Sequence, residues 1–541
     1  MMTPAPPFAT IPPMPFTVRP VREERKLSGR TRKYLLFAAA IAESVFRLYR
    51  WKKVQGEEEA LKVRRTRTLK RTVSVLLAIL VVLLLAVGTL KILVRLKALS
   101  LSGVTSMVGT ALLADENGFT NILLLGVGDG DHDGVDLTDT IMVASLDPKR
   151  TRSIVLLSLP RDLAVLSTEK MGKGRINSLY RDYKITLVHG GMKNNEASIE
   201  SLRQLGKEIG TLLDLPIHGV IKINFSGFEQ AIDALGGIDV VVPEDIVDPE
   251  YPGPNYTYQT FMLSKGPHHL SGSTALQYVR SRHSTSDFSR SARQQQVLAA
   301  AAAKTKATGL LKSVGKSTEI LSIISRNMET TFSTREFLGL VDLGKKIDQK
   351  RIISMQLSDE NGLFGSGIGR GGFLYAPPRE EFEGASVLLP VSIPEFPVTW
   401  KQIQAFSALL FGQRELFLKP PGIVVLNAGA KEGAARKLGG ELYRYGFNVI
   451  NTRNFARRNN PSFSDSFLVV NPSLLSPKED DRQAVDRLEN AQTSATTLRK
   501  LLQLKKAPSS VDPPAAFEGN ADIAIVLGKD FSLTPLQDLL R

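Results

Sequence analysis

Two hydrophobic periods alternate along this chain, and the switches between them mark out the expected elements. Asn121–Val127 (NILLLGV) is a continuous apolar run of strand length, and Ile141–Leu146 and Ser153–Leu159 repeat it. From Glu196 to Leu213 the apolar residues Ile199, Leu202, Leu205, Ile209, Leu212 and Leu213 fall on one helical face. Gly219–Asn224 and Gly237–Val242 return to strand character, with helical spacing over Phe228–Leu235 between them. Leu310–Leu343 is mainly helical and Ile352–Leu357 is a late strand. This alternation predicts an α/β (α+β) sandwich, a central mixed sheet with helices on both sides.

The pattern fails over 378–420, where Pro378, Pro390, Pro394 and Pro397 mark a linker. A second, small α/β domain is expected over 421–535. It has strands at Gly422–Asn427, Gly446–Ile450, Phe467–Val470 and Ala521–Leu527, and helices at Gly433–Tyr445 and Leu498–Leu504. It is expected to be separable from the first domain, 119–377. Upstream, Thr72–Leu90 is uncharged throughout, long enough to cross roughly 30 Å of hydrocarbon as a helix. A single transmembrane helix is therefore placed in 72–94, with 95–118 as a stalk. Arg64, Arg65, Arg67, Lys70 and Arg71 precede it, which predicts a cytoplasmic N-terminus and an extracytoplasmic bulk. The basic segment 1–71 opens proline-rich and is expected to be partly disordered.

Charge and cysteine content narrow the chemistry. Residues 1–71 hold 17 Lys/Arg and 6 Glu, a net of +11, which leaves +4 of the chain's +15 for everything after. The excess flanks the apolar run rather than lining a folded groove, which argues against a nucleic-acid partner. The absence of cysteine excludes disulfides, thiolate catalysis and cysteine-ligated zinc. His189, His268 and His269 lack zinc-site spacing, and there is no G-x-S-x-G or Walker A sequence.

Three stretches carry candidate chemistry. Arg280, Arg282, Arg290 and Arg293 crowd the segment 280–294 with one carboxylate, Asp287. An extended backbone would send Arg280 and Arg282 from one face, and Arg290 and Arg293 lead into an Ala-rich helix. Such a corner forms a fork for phosphate or pyrophosphate; the competing reading is a solvated basic helix start. Arginines there oppose the helix dipole unless an anion is near, which favours the phosphate reading. Asp129–Gly134 reads D-x-D-x-D-G, but Thr140 occupies the twelfth position of an EF-hand and a strand precedes it. Magnesium shared with substrate phosphates suits the loop better than calcium, and a merely solvated loop is the alternative. Pro160–Arg161–Asp162 ends a strand, either as a ligand site or as a structural ion pair.

NILLLGV at 121–127, LTDT at 137–140, LSLPRD at 157–162 and HGG at 189–191 are followed by IDALGGIDVVVP at 232–243 and ALQYVRSRHSTSDFSRSARQ at 275–294. Together, in this order, they resemble the LytR-CpsA-Psr family of bacterial envelope enzymes, over roughly residues 119–376. The tail, through VVLNAG, YGFNV and DIAIVLGKDF, resembles the C-terminal domain often appended to them. The resemblance implies a transferase that moves a glycopolymer from a polyprenyl-pyrophosphate carrier to peptidoglycan, anchored in the lipid bilayer and using Mg²⁺, with Mn²⁺ as a substitute. It implies that Arg161, Arg280, Arg282 and Arg290 hold the pyrophosphate with support from Gln294, and that Asp139 ligates the metal. Where the family pattern has an earlier Asp this chain has Gly128, so Asp129 is carried as the second ligand. Arg293 joins the pyrophosphate set through the fork. Asp287, kept ionised by its arginine neighbours, is the candidate base or hydroxyl orienter. Arg161 and Arg290 would stabilise charge during the transfer. A polyprenyl-pyrophosphate-binding protein or pyrophosphatase is the alternative function.

Overall fold

The computed structural model describes residues 112–540 except 131–133, 254–256, 282–286, 308–325, 349, 359–371, 392–397, 456–461, 476–481, 509–516 and 518–520. The apolar run at 72–90 therefore lies outside the described residues. Among those described, no helix is long and apolar enough to cross a membrane.

The three apolar runs form β1 (Thr120–Val127), β2 (Thr138–Asp147) and β3 (Ser153–Leu159). A two-residue ribbon follows, β4 (Ala164–Val165) with β5 (Gly174–Arg175). Next come helices α1 (Ile176–His189) and α2 (Asn194–Leu213), then β6 (Gly219–Asn224) and α3 (Phe225–Ala234). Strands β7 (Ile238–Val242), β8 (Ile246–Pro252), β9 (Tyr258–Leu263) and β10 (Gly266–Leu270) precede α4 (Gly272–Arg280) and α5 (Asp287–Ala307). The segment closes with β11 (Met328–Thr330), α6 (Thr334–Lys346) and β12 (Ile352–Gln356).

The central sheet runs β11-β6-β1-β2-β3-β12 and is mixed, as expected. Strands β1, β3, β6 and β12 point one way, β2 and β11 the other. Strand β7 does not join it. Among the described residues it pairs only with β10, and it packs on its own small core of Ile238, Val240, Leu270 and Tyr278. Helix α2 buries Leu202, Leu205 and Ile209, as its spacing predicts. Each such side chain contributes about 1.5–3 kcal/mol by leaving water.

Two expectations are corrected here. Ala275–Val279 is not extended. Ser271 caps the helix by accepting from Thr274 N, and Ala275, Leu276, Tyr278 and Val279 bury at helical spacing. Arg280 thus ends a helix, so the extended geometry expected there does not apply to it, and Arg282 lies outside the described residues. The expected linker also contains structure. Beyond β13 (Leu374–Tyr375) and its partner β14 (Leu389–Pro390) come α7 (Lys401–Gly412), with Ile403, Phe406, Leu409 and Leu410 buried, and α8 (Glu415–Leu418). The prolines masked an apolar period that starts only after Trp400.

The C-terminal elements are β15 (Ile423–Asn427), α9 (Ala434–Arg444), β16 (Val449–Asn454), β17 (Phe467–Val470), α10 (Arg482–Leu501), β18 (Lys505–Lys506), β19 (Ile523–Leu527) and α11 (Leu536–Leu539). They build a second sheet in the order β16-β15-β19-β17-β18. One continuous buried cluster joins Leu157 and Ile209 to Phe406, Leu410, Val425 and Ile523, so the two sheets share a core through α7. A buried cation stitches that seam. Arg414, with no exposed surface, lies 3.8 Å over the Phe119 ring and donates to Ser145 O at 3.3 Å, Ser145 Oγ at 3.0 Å and Phe411 O at 3.3 Å.

Candidate functional site

Because β1, β3 and β6 are parallel and β2 is antiparallel to them, three strand ends and one strand start meet at one edge of the central sheet. Asp129 follows β1, Arg161 follows β3, Asp139 opens β2, and α3 springs from β6. Open α/β sheets bind ligands at such an edge.

The edge is tied by alternating charges. Arg161 Nη1 donates to Asp139 Oδ1 at 3.1 Å, and its Nε lies 3.6 Å from Asp162 Oδ2. Asp162 in turn takes Arg175 Nη1 at 3.3 Å, held there by the β4–β5 ribbon. Asn177, buried at the start of α1, reaches Asp139 Oδ1 through Nδ2 at 3.5 Å, and its backbone carbonyl accepts from Thr138 Oγ1 at 3.2 Å. Neither Arg175 nor Asn177 was foreseen. The signal was available for Asn177, a polar residue inside the apolar face of Ile176, Leu179 and Tyr180.

Across the edge, both oxygens of Asp129 accept from Ser226, from its backbone N at 3.2 Å and its Oγ at 2.8 Å. Arg280 stacks 4.2 Å over the Phe225 ring and 5.6 Å from that of Tyr251. Helix α4 comes this close to α3 because residue 272 is glycine; a Cβ there would meet Glu229 O at 2.2 Å. Glu229, also unforeseen, links the two groups. Burial, then the charges of Asp129 and Asp233, raise its carboxyl above the ordinary range, while Arg280 opposes them.

The remaining expected residues fall on α5. Gln295 Nε2 donates to Ser158 Oγ at 2.9 Å and Met355 O at 2.8 Å, which fastens α5 beside the end of β3. Arg290 is buried, about 7.5 Å along the axis from that anchor at 1.5 Å per residue. Gln294 is half-buried. Arg293 is committed to the frame. It donates Nε to Tyr278 O at 2.9 Å and Nη2 to Ser281 O at 2.5 Å, closing the end of α4. Burial lowers its pKa, with Tyr278 opposing. These two bonds serve the end of α4, a helix whose last carbonyls need donors. Asp287 opens α5 but its side chain, like all of Arg282, lies outside the described residues. Among the described residues no three acidic or histidine side chains cluster as a metal cage. The donors beside Asp139 nevertheless suit a hard cation that keeps its waters. Its carboxylate is 41% exposed, and Asn177 Oδ1 is buried with no hydrogen-bond partner among the described residues. Asp129, each oxygen accepting one bond from Ser226, keeps lone pairs to share with a cation. A pocket of about 630 Å³ lined by Lys207, Ile217, His218 and Gly219 opens where β6 begins, a six-residue strand or roughly 20 Å from this edge.

These features define an α/β protein with arginines and carboxylates gathered at one edge of its central sheet. The model described as the LytR_cpsA_psr family matches residues 97–378, more than half of the chain, and the chain belongs to that family. A second model, described as LytR cell envelope-related transcriptional attenuator, matches residues 422–531. Among curated proteins, the polyisoprenyl-teichoic acid–peptidoglycan teichoic acid transferase TagU of Bacillus cereus is 30% identical over 223 residues, 41% of this chain and 63% of the relative. TagU of Bacillus mycoides is 31% identical over 222 residues, 41% of this chain and 62% of its own. The chain thus spans less than two thirds of either relative. Among solved structures, B. subtilis TagV is 23% identical with a TM-score of 0.38, covering 54% of this chain and 97% of that one. TagT bound to LI-WTA is 23% identical with a TM-score of 0.37, covering 56% and 94%.

Proposed function

We propose that this protein is a membrane-anchored, extracytoplasmic phosphotransferase that moves a glycopolymer from a polyprenyl-pyrophosphate carrier to peptidoglycan. Family membership supports the reading, and one observation carries it: the Asp139–Arg161–Asp162–Arg175 chain at the strand ends. Residues 119–377 form the catalytic domain, 421–535 the C-terminal domain, and 72–94 the anchor with the N-terminus in the cytoplasm.

Arg161, Arg280, Arg282 and Arg290, with Gln294 in support, hold the pyrophosphate. Charge-assisted donors aimed at the phosphoryl oxygens favour the transition state, where negative charge builds on the leaving side. An acceptor sugar hydroxyl attacks the phosphorus nearer the glycan, the bond to the bridging oxygen breaks, and polyprenyl phosphate leaves. Asp287 orients the hydroxyl and takes its proton. Asp139, with Asn177 beside it, would hold Mg²⁺, which supplies further neutralisation of phosphate charge when bound.

The test is full-length protein in detergent with a polyprenyl-pyrophosphate-linked oligosaccharide and peptidoglycan fragments, with and without Mg²⁺. The expected product is a phosphodiester-linked conjugate formed only with the metal. Glycan phosphate released without joining would assign a pyrophosphatase instead, and donor binding without turnover a carrier-binding protein.

A further inference from the structure

Lys222 is the least expected residue of the central sheet. It sits inside β6, 5% exposed, where an aliphatic side chain would complete the core. A lone buried ammonium is expensive, so its partners identify its task. Its Nζ donates to Tyr180 Oη at 2.7 Å and pairs with Glu329 Oε1 at 3.1 Å and Asp136 Oδ1 at 3.3 Å. Tyr180 Oη also meets Ser198 Oγ at 2.7 Å, and Ser198 Oγ donates to Glu329. Helices α1 and α2 and strand β11 therefore fix where the ammonium stands.

Asp136 is the outlying member. Its other oxygen takes Lys184 Nζ at 2.7 Å, so two lysines draw this carboxylate inward from the end of the acidic loop. Burial alone would raise its pKa, but the hydrogen bond from Lys184 and the charge of Lys222 hold it below the ordinary range. Its backbone lies in the left-handed region at φ +64°, just after Gly134 at φ +84°. Few residues other than glycine adopt that conformation without support. Leu137 N donates to Gly134 O at 3.0 Å and Asp139 N to Leu137 O at 3.1 Å, so the turn runs straight into Asp139.

We infer that Lys222 and Asp136 are positioning residues: the buried ammonium holds Asp136, and Asp136 fixes the turn that delivers Asp139 to Arg161. Neither touches substrate. The role in the reaction rests on the phosphotransferase reading; the hold on the turn does not.

Two measurements on full-length protein separate these. The first is amide hydrogen exchange in Lys222→Met and Asp136→Asn. Faster exchange confined to residues 134–140, with the β1–β3 ladder near wild type, is expected. The second is transfer kinetics with Mn²⁺ as the metal probe. Both variants should lose about ten- to a hundredfold in kcat, as supporting partners of a site typically do, while KM for the peptidoglycan fragment stays near wild type. The double variant should be little worse than the poorer single variant, because both break one linkage. Unchanged exchange over 134–140 would overturn the inference, as would local loosening with wild-type kcat. Loosening across the whole sheet would also overturn it, showing a merely structural network. Should wild-type protein fail to transfer, the phosphotransferase reading falls, and the exchange result alone still decides whether the pair holds the turn.

Discussion

Replacing Arg414 by Ala should destabilise the fold by about 3 kcal/mol, although residue 414 lies in neither matched region. The size follows from its contacts. Three hydrogen bonds contribute about 1 kcal/mol each. The cation–π contact with Phe119 adds about 2 kcal/mol when desolvated. The buried methylene stem adds about 2 kcal/mol at ~0.8 per CH₂. Against these stands the desolvation of the guanidinium, roughly 4 kcal/mol. Burial pushes its pKa down only to about 10, so it stays charged at neutral pH. Arg414→Met keeps most of the stem and escapes the desolvation, so it should lie within about 1 kcal/mol of wild type on the same terms. Urea unfolding of full-length protein in detergent, followed by fluorescence, measures both. Trp400 caps α7 at the seam and reports its opening. A wild-type midpoint for Arg414→Ala would refute the reasoning, and so would loss of the α7 signal long before the central sheet unfolds.

Three further outcomes are expected. Truncation after residue 380 should yield aggregated or unfolded protein rather than an active fragment, because it strips the partners of Leu157 and Ile209 from a shared core; a monomeric, cooperatively melting fragment would contradict this. His218 accepts from Asn121 N through Nδ1 at 2.9 Å, and burial lowers its pKa. The unfolded chain therefore binds the proton more readily, so stability falls as pH drops from about 7 through the folded-state value. In His218→Asn the acid-side slope of a melting series should be flatter, and an unaltered slope would contradict the assignment. Arg161→Lys keeps the charge but loses the fork that spans Asp139 and Asp162, so turnover should fall about a hundred- to a thousandfold with the melting temperature nearly unchanged. Wild-type turnover would remove Arg161 from the site.

Strands β1–β3 were legible because both faces are buried, which writes them as largely apolar runs, whereas the short edge strand β11 fell inside a stretch read as mainly helical. The positions of Asp139 and Arg161 were legible for a related reason, since each abuts such a run. Helix α4 was misjudged because Ala275–Val279 is short enough to suit either period, and only the Ser271 cap distinguishes them. Arg293 resembled its neighbours in sequence, and only the helix end beneath it reveals that it clamps α4. The contacts of Lys222 and Asp136 could not be read, because their partners stand 86 residues apart. The seam was hidden for the same reason, with 269 residues between Ser145 and Arg414.

That seam also limits how such chains can exchange parts. Phe119 and Ser145 form a socket in the N-terminal half, and its guanidinium plug is supplied from just before β15. A chimera spliced at residue 420 carries plug and socket together, and the foreign half must then match the apolar surface that α7, α8 and the central-sheet side of the shared core present. One spliced at residue 380 parts them, leaving two buried Ser145 oxygens facing whatever side chain arrives. Compatibility between halves then depends on a position outside both recognisable domains as well as on the apolar core they share.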